Sequence, residues 1–199
     1  NKFIKRTEIA EDSSDVKGAY TLRVAPRKIT VEGKNEEGLF YGVQTLLQLL
    51  PVGDMEEAVG KKKLAIPLVE IEDAPAFQYR GMHLDVARHF MPAEFIKEYI
   101  DYLAMHKINH LHWHLTDDQG WRIESRKHPR LNEVGSYRDA TIIGIYPGTG
   151  IDSTRYGGYY KVEELKEIVE YAAQRYITIV PEIDLPGHCM AVLATYPHF

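Results

Sequence analysis

The feature that most constrains this chain is an alternation of strands and helices that begins after Pro75. Residues 79–87, 110–116 and 176–183 are strand-like, and a helical stripe of apolar residues lies between each pair. Strands that alternate with helices in this way form right-handed parallel β–α–β units. The three strands therefore predict part of an α/β fold, which is either an open doubly wound sheet or a (β/α) barrel.

The sequence before Pro75 contains shorter strand signals. Residues 20–24 and 28–32 alternate polar and apolar side chains and predict two antiparallel strands. Residues 64–71 predict a further strand, and Pro67 within it indicates the edge of a sheet.

A helix is predicted between these strands. Gly38 stands before it and Pro51 after it. Its apolar stripe consists of Phe40, Val43, Leu46, Leu47 and Leu50. We therefore predict a small α/β domain (an antiparallel sheet plus a helix) over residues 1–74 and the first part of a larger domain over residues 75–199.

The second domain offers several indications of where its ligand binds and of what kind of ligand it is. Parallel α/β sheets and barrels both bind ligands at the carboxyl ends of their strands. Ala87-Arg88-His89-Phe90 follows the first strand in place of a Gly-rich phosphate loop, which argues against nucleotide binding. Residues 117–160 are predicted to be an irregular connection, and its unusual length indicates a functional role.

Ionisable residues follow all three predicted strands. Charges at the ends of buried strands cost desolvation free energy unless they pair with each other or meet a ligand. These positions are Asp85 and Arg88, then Asp117 and Asp118, then Glu182, Asp184 and His188. We interpret them as a binding or catalytic site, and the alternative is a ring of salt bridges that only supports the fold.

Histidines and tryptophans concentrate around the second strand. His110, His112 and His114 alternate and so share one face, which with Asp117 suggests a metal site. The spacing does not clearly supply three converging ligands, so hydrogen-bonded core histidines are the favoured interpretation. Trp113 is predicted to lie in the core, and Trp121 to anchor a loop or, alternatively, to stack on a sugar.

Composition and the ends of the sequence exclude several classes of partner and of protein. The net charge of −5 argues against a nucleic-acid partner, and no apolar run is long enough for a membrane span. The single cysteine, Cys189, excludes an internal disulfide. The chain starts at Asn1 without an initiator Met and stops at Phe199 without a terminal element, so we expect a fragment of a longer protein.

Four segments, in order, resemble the glycoside hydrolase family 20 β-N-acetylhexosaminidases. They are GLFYGVQTL (38–46), RGMHLDVARHF (80–90), NHLHWHLTDDQGWR (109–122) and PEIDLPGH (181–188). The resemblance implies that residues 1–74 form the small α/β domain of that family. It implies that residues 75–199 form the first three strands of its TIM (β/α)8 barrel.

The resemblance also implies a reaction. The expected activity is retaining hydrolysis of terminal β-linked N-acetylglucosamine or N-acetylgalactosamine from an oligosaccharide or glycoconjugate. The 2-acetamido oxygen of the substrate attacks the anomeric carbon in place of an enzyme carboxylate. The family implies no metal and no organic cofactor, and an extracytoplasmic setting. The oligomeric state is left open.

Site residues carry over by position. Arg88 matches the arginine that binds sugar hydroxyls, and Asp117 with His188 matches a relay to the general acid. Asp184 matches a further carboxylate that orients the histidine or its loop, and Glu182 is expected to support one of these residues.

The catalytic pair of the family is an adjacent Asp-Glu on the fourth barrel strand, and this chain contains no Asp-Glu dipeptide. We therefore expect the pair to lie beyond Phe199 and the chain alone to be inactive. A non-catalytic carbohydrate-binding module and a metal-dependent barrel hydrolase are the alternatives.

Overall fold

The structure is a computed structural model that describes residues 5–6, 16–50 and 65–198. The chain divides into two compact units. The first is Asn1–Arg80 with Met105–Lys107, and the second is Gly81–Ala104 with Ile108–Phe199. The domain boundary between residues 74 and 75 stays a prediction.

The first unit is built on a sheet whose order is β1-β4-β2-β3. Its strands are β1 (Lys5–Arg6), β2 (Tyr20–Ala25), β3 (Lys28–Gly33) and β4 (Val69–Asp73). Strand β2 is antiparallel to β3, as the alternating pattern predicts. It is also antiparallel to β4, and β1 is parallel to β4.

The sheet corrects two details of the sequence prediction. Strand β4 lies between β1 and β2, so the edge position inferred from Pro67 is wrong. The strand starts at Val69, so the proline lies outside it and its missing N–H removes no ladder hydrogen bond. Leu64, where the predicted strand began, lies outside the described residues.

Helix α1 (Glu36–Gln48) begins earlier than its apolar stripe suggested. The Asn35 side chain caps it by accepting a hydrogen bond from the Gly38 N–H at 2.8 Å. The predicted buried stripe is partly wrong, because Leu47 is 51% exposed while Gly38 and Tyr41 are buried. A Cβ on Gly38 would lie 2.2 Å from the Ala19 carbonyl oxygen, so the helix backbone itself approaches the segment that enters β2.

The second unit contains the predicted parallel strands. Its sheet has the order β12-β6-β5, with β5 (Gly81–Asp85), β6 (His110–Asp117) and β12 (Thr178–Ile183) parallel to each other. Helices α2 (Ala93–Met105) and α4 (Val162–Ala173) connect them in chain order. This confirms the parallel β–α–β arrangement. The buried side chains of the two helices are Ala93, Ile96, Ile100, Leu103, Ala104, Ile168 and Ala172.

The connection between β6 and α4 is less irregular than predicted. Its elements are β7 (Gly120–Trp121), α3 (Arg130–Glu133), β8 (Tyr137–Arg138), β9 (Thr141–Ile143), β10 (Gly150–Asp152) and β11 (Tyr156–Gly157). Strand β9 pairs antiparallel with β10, and β8 pairs antiparallel with β11. Helix α5 (Met190–Thr195) follows β12. Within the described ranges, no helix is both long and apolar enough to cross a membrane.

Candidate active site

The parallel register brings the three strand ends to one edge of the sheet. Asp85 on β5 and Glu182 on β12 both pair with His114 on β6. The chain then continues from these strands into the segments that carry the other charged residues. All the residues singled out as site candidates therefore lie at this edge, namely Arg88, Asp117, Glu182, Asp184 and His188.

Asp117 is the centre of this group, and its side chain is only 1% exposed. One carboxylate oxygen, Oδ2, lies 2.7 Å from Arg88 Nη2 and 2.8 Å from His114 Nε2. The other, Oδ1, accepts a hydrogen bond from the Asp118 N–H at 2.7 Å and lies 3.3 Å from His188 Nδ1. The structure thus brings together the three residues to which the sequence assigned the main roles.

Arg88 is held at this edge by a second carboxylate. Its Nη1 donates to Asp85 Oδ2 at 2.8 Å, and its backbone N–H donates to Asp85 Oδ1 at 3.0 Å. Burial raises the pKa of Asp85, but hydrogen bonds from Arg88 and its positive charge outweigh this and lower the pKa below its usual value. The Arg88 side chain remains 44% exposed, so part of its guanidinium is open to a ligand. Sequence reasoning gave Asp85 no separate role, and its spacing before Arg88 was the available signal.

His114 connects Asp117 to Glu182 across the sheet. Its Nδ1 lies 2.6 Å from Glu182 Oε2, which is also 2.7 Å from His112 Nε2. Burial raises the pKa of Glu182, but the hydrogen bond and positive charge of His114 outweigh it and lower the pKa. Sequence reasoning treated His114 only as one of a row of histidines and missed this bridging position.

His188 and Asp184 follow β12, and the structure separates their surroundings. His188 has a backbone φ of 50° and a side chain that is 58% exposed. Asp184 donates its backbone N–H to Thr116 Oγ1 at 2.9 Å, and its carboxylate lies within 4.8 Å of both His114 and Asp117. No hydrogen bond or ion pair joins Asp184 to His188 in the described part of the chain, so the expected orienting contact is not made directly.

Arg122 holds the backbone of the two residues that precede Arg88. Its guanidinium is fully buried. It donates to the carbonyl oxygens of Val86 at 3.0 Å and Ala87 at 2.7 Å, which are the two residues before Arg88. Two further bonds go to the carbonyl oxygens of Ser136 at 2.5 Å and Gly158 at 3.0 Å. Burial, followed by the nearby charge of Arg138, lowers the pKa of Arg122 to about 10. Sequence reasoning missed this residue, because a charged side chain beyond a strand is usually exposed.

The two tryptophans pack against other parts of the second unit. Trp113 is 1% exposed and its ring lies 4.8 Å from that of Tyr160. Trp121 donates its Nε1–H to the Ile123 carbonyl oxygen at 2.6 Å, so it anchors the segment after β6. Both positions match the favoured sequence interpretation.

In three groups of histidines and carboxylates, the atoms that could bind a metal ion lie within 4.8 Å of one another. They are His83, His112 and Glu182; His114, Asp117 and Asp184; and Asp117, Asp118 and His188. His110 instead lies with its Nδ1 2.8 Å from Asn109 Oδ1. In the first two groups, nitrogen and oxygen atoms already lie 2.7–2.8 Å apart in pairs, which is the distance of a charge-assisted hydrogen bond. Hydrogen bonding therefore accounts for these positions without an ion.

Comparison with known families covers both units. Residues 77–199 match the catalytic domain of glycosyl hydrolase family 20, and residues 4–74 match domain 2 of the same family. The β-hexosaminidase of Porphyromonas gingivalis is 51% identical over 178 residues, which is 89% of this chain and 22% of that protein. The β-hexosaminidase of Vibrio furnissii is 43% identical over 92% of this chain and 28% of its own length.

A solved structure gives the same result for the fold. The family 20 exo-β-N-acetylglucosaminidase of Vibrio harveyi, in complex with N-acetylglucosamine, superposes with a TM-score of 0.80 at 40% identity. The match covers 98% of this chain and 29% of that one. The likeness confirms the predicted combination of a small α/β domain and part of a TIM barrel. The chain spans less than a third of the length of each of these relatives.

Proposed function

Since this chain belongs to glycoside hydrolase family 20, we propose that it supplies the sugar-binding side of a β-N-acetylhexosaminidase active site. The substrate is a terminal β-linked N-acetylglucosamine or N-acetylgalactosamine on an oligosaccharide or glycoconjugate. The relatives named β-hexosaminidase support this activity. One feature of the chain itself carries the proposal: Arg88 and His188 meet on the two oxygens of the buried Asp117 carboxylate.

Arg88 is suited to hold the hydroxyl groups of the sugar ring. A planar guanidinium offers donors at fixed spacing, so two of them can meet two adjacent hydroxyl oxygens. Nη1 contacts Asp85 and Nη2 contacts Asp117, and because the side chain is 44% exposed, its other N–H groups remain available to the substrate. The two carboxylates also prevent the side chain from changing rotamer when the site is empty.

His188 has the geometry of a relay residue. Its Nδ1 faces Asp117 Oδ1, and its Nε2 makes no hydrogen bond or ion pair within the described residues. A carboxylate behind an imidazole stabilises the ring when it takes up a proton, as in other acid–base relays. We propose that Nε2 faces the general acid of the complete barrel and helps to set its pKa.

The reaction itself requires groups that this sequence does not contain. In the proposed mechanism the acetamido oxygen of the substrate attacks the anomeric carbon while a general acid protonates the leaving oxygen. The family supplies that acid, and the carboxylate that orients the acetamido group, from an Asp-Glu pair. No such dipeptide occurs in the 199 residues. We propose that the chain alone binds the sugar but does not hydrolyse it.

An assay on an aryl N-acetyl-β-D-glucosaminide tests this division. The 199-residue chain should show no turnover, since loss of a general acid alone costs about 10²–10⁴-fold. A longer protein that carries the complete barrel, including an Asp-Glu pair, should be active, and Arg88→Ala should reduce that activity. Turnover by the chain alone at the rate of the longer protein would contradict the proposal.

A metal-dependent hydrolase is the second candidate that the sequence left open, although His112 Nε2 and Glu182 Oε2 already lie at the 2.7 Å of a charge-assisted hydrogen bond. Elemental analysis of the active, longer protein decides between the candidates. Activity that persists without stoichiometric metal would exclude the second one.

A further inference from the structure

His114 lies between two carboxylates on adjacent elements of the second unit. Its Nδ1 is 2.6 Å from Glu182 Oε2 and its Nε2 is 2.8 Å from Asp117 Oδ2. The side chain is only 5% exposed, so water does not compete for either nitrogen. Each of these distances is that of a charge-assisted hydrogen bond.

The two contacts together determine the protonation state of the ring. A neutral imidazole has one N–H and one lone pair, so one nitrogen would press a lone pair against a carboxylate oxygen. Only the doubly protonated imidazolium donates to both Glu182 and Asp117. Arg88 Nη1, which has two N–H groups, also lies 3.2 Å from His114 Nε2, but donation to this nitrogen would leave its shorter contact with Asp117 Oδ2, at 2.8 Å, without a proton.

The charges around the ring favour the same state. Carboxylates exceed cations among the groups that face it from β5, β6, β12 and the segments that follow them. These groups are Asp85, His83 and Arg88, then Asp117, then Glu182 and Asp184. Burial lowers the pKa of His114, but the hydrogen bonds from its ring to Glu182 and Asp117 outweigh this effect and raise it.

The His114 imidazolium also determines which oxygen of the Asp117 carboxylate remains for other groups. With His114 and Arg88 both on Oδ2, the carboxylate is fixed in rotation and Oδ1 is left for the Asp118 N–H and His188. We propose that His114 is a charged positioning residue: held by Glu182, it turns the Asp117 carboxylate so that Oδ1 meets the relay histidine. A role of His114 in catalysis rests on the proposed function, but the charge of His114 and its effect on Asp117 do not.

¹H–¹⁵N NMR of the histidine ring nitrogens in the 199-residue chain, without any sugar, tests the proposal. Both ring nitrogens of His114, assigned by its loss in His114→Asn, should stay protonated above the pH at which an ordinary histidine, with a pKa of about 6.5, loses its proton. In Glu182→Gln the titration midpoint of His114 should fall, because one hydrogen-bonded opposite charge is removed. The matched control is Glu167→Gln, which removes an exposed carboxylate 2.6 Å from Lys97 and should leave His114 unchanged.

The backbone N–H of Asp118 reports the positioning directly, since it donates to Asp117 Oδ1. Its proton resonance should move upfield in His114→Asn and in Glu182→Gln, and stay in place in Glu167→Gln. Circular dichroism establishes that each variant is folded, and the measurement on the unaltered chain needs no variant to fold. A His114 that loses its proton at or below the pH of an ordinary histidine, or an Asp118 resonance that is unchanged in both variants, would overturn the proposal. A failure to bind sugar would affect the proposed function and leave these results intact.

Discussion

Arg88 and Arg122 lie close to the same strand end but have opposite surroundings. Arg88 is 44% exposed and binds the carboxylates of Asp85 and Asp117. Arg122 is fully buried, and its hydrogen bonds within the described residues all go to main-chain carbonyl oxygens. Carbonyl groups satisfy the donors of a guanidinium without neutralising its charge, and they fix the backbone that carries them. The comparison separates a group that is available to a ligand from one that holds the site together.

The largest effect should follow removal of the buried guanidinium. Arg122→Met keeps an unbranched side chain but removes the guanidinium, so the carbonyl oxygens of Val86, Ala87 and Gly158 lose this donor, at about 1–3 kcal/mol each when buried. The Ser136 carbonyl oxygen keeps the Gly158 N–H as a second donor. The free energy of unfolding in urea should fall by at least about 3 kcal/mol. Arg122→Lys should recover only part of this, since an ammonium cannot reach all four oxygens. A loss below about 1 kcal/mol in Arg122→Met would show that the carbonyls find other donors.

Crowding the same guanidinium should have a smaller effect. A Cβ on Gly120 would lie 2.2 Å from the Arg122 Cζ atom, so Gly120→Ala must displace the guanidinium or the strand. We expect a loss of about 1–3 kcal/mol in the free energy of unfolding. Gly150→Ala is the control, because its nearest neighbour would be the Ile143 Cδ1 atom at 3.7 Å. Equal stability of the two variants would contradict the account of Arg122 as a rigid anchor.

Removal of the exposed guanidinium should cost less still. In Arg88→Ala, Asp117 keeps the Asp118 N–H and His114, and water reaches the space that Arg88 leaves. The free energy of unfolding should therefore fall by no more than about 1.5 kcal/mol. The same urea titration measures it. A loss as large as that of Arg122→Met would reassign Arg88 to the scaffold.

The smallest effect concerns the pH dependence of stability. The pKa of His114 is raised in the folded state, so its contribution is complete below its ordinary value of about 6.5 and is lost as pH rises through the folded-state pKa. From about pH 5 to about pH 8, the stability advantage of the unaltered chain over His114→Asn should therefore stay constant up to about pH 6.5 and shrink above it. Unfolding in urea across this range measures the difference. An advantage that stays constant over the whole range would argue that the ring does not titrate with folding.

The sequence predicted the parallel strands and the location of the site because both depend on local patterns. Period-two and helical stripes identify elements, and the carboxyl ends of parallel strands must meet at one edge. The family resemblance then assigned Arg88, Asp117 and His188. Their spatial meeting is observed, while the roles that the resemblance implies stay predictions.

The parts that the sequence did not predict depend on tertiary packing. The buried face of α1 uses Gly38 rather than the more apolar Leu47, because close backbone approach needs a small residue. Arg122 is buried by four carbonyls from segments far apart in the chain, and no local pattern reports that. The bridging position of His114 depends on a register that only the assembled sheet defines.

The most direct test of the central claim is titration of the ¹⁵N-labelled chain with N-acetylglucosamine, followed by NMR. We expect saturable shifts at Arg88, Asp118 and His188, lost in Arg88→Ala and retained in Arg126→Ala. Arg126 is an exposed arginine that pairs with Glu163, so it matches the change in charge without touching the site. The absence of shifts in the unaltered chain, or equal binding by both variants, would contradict a sugar-binding role for this strand edge.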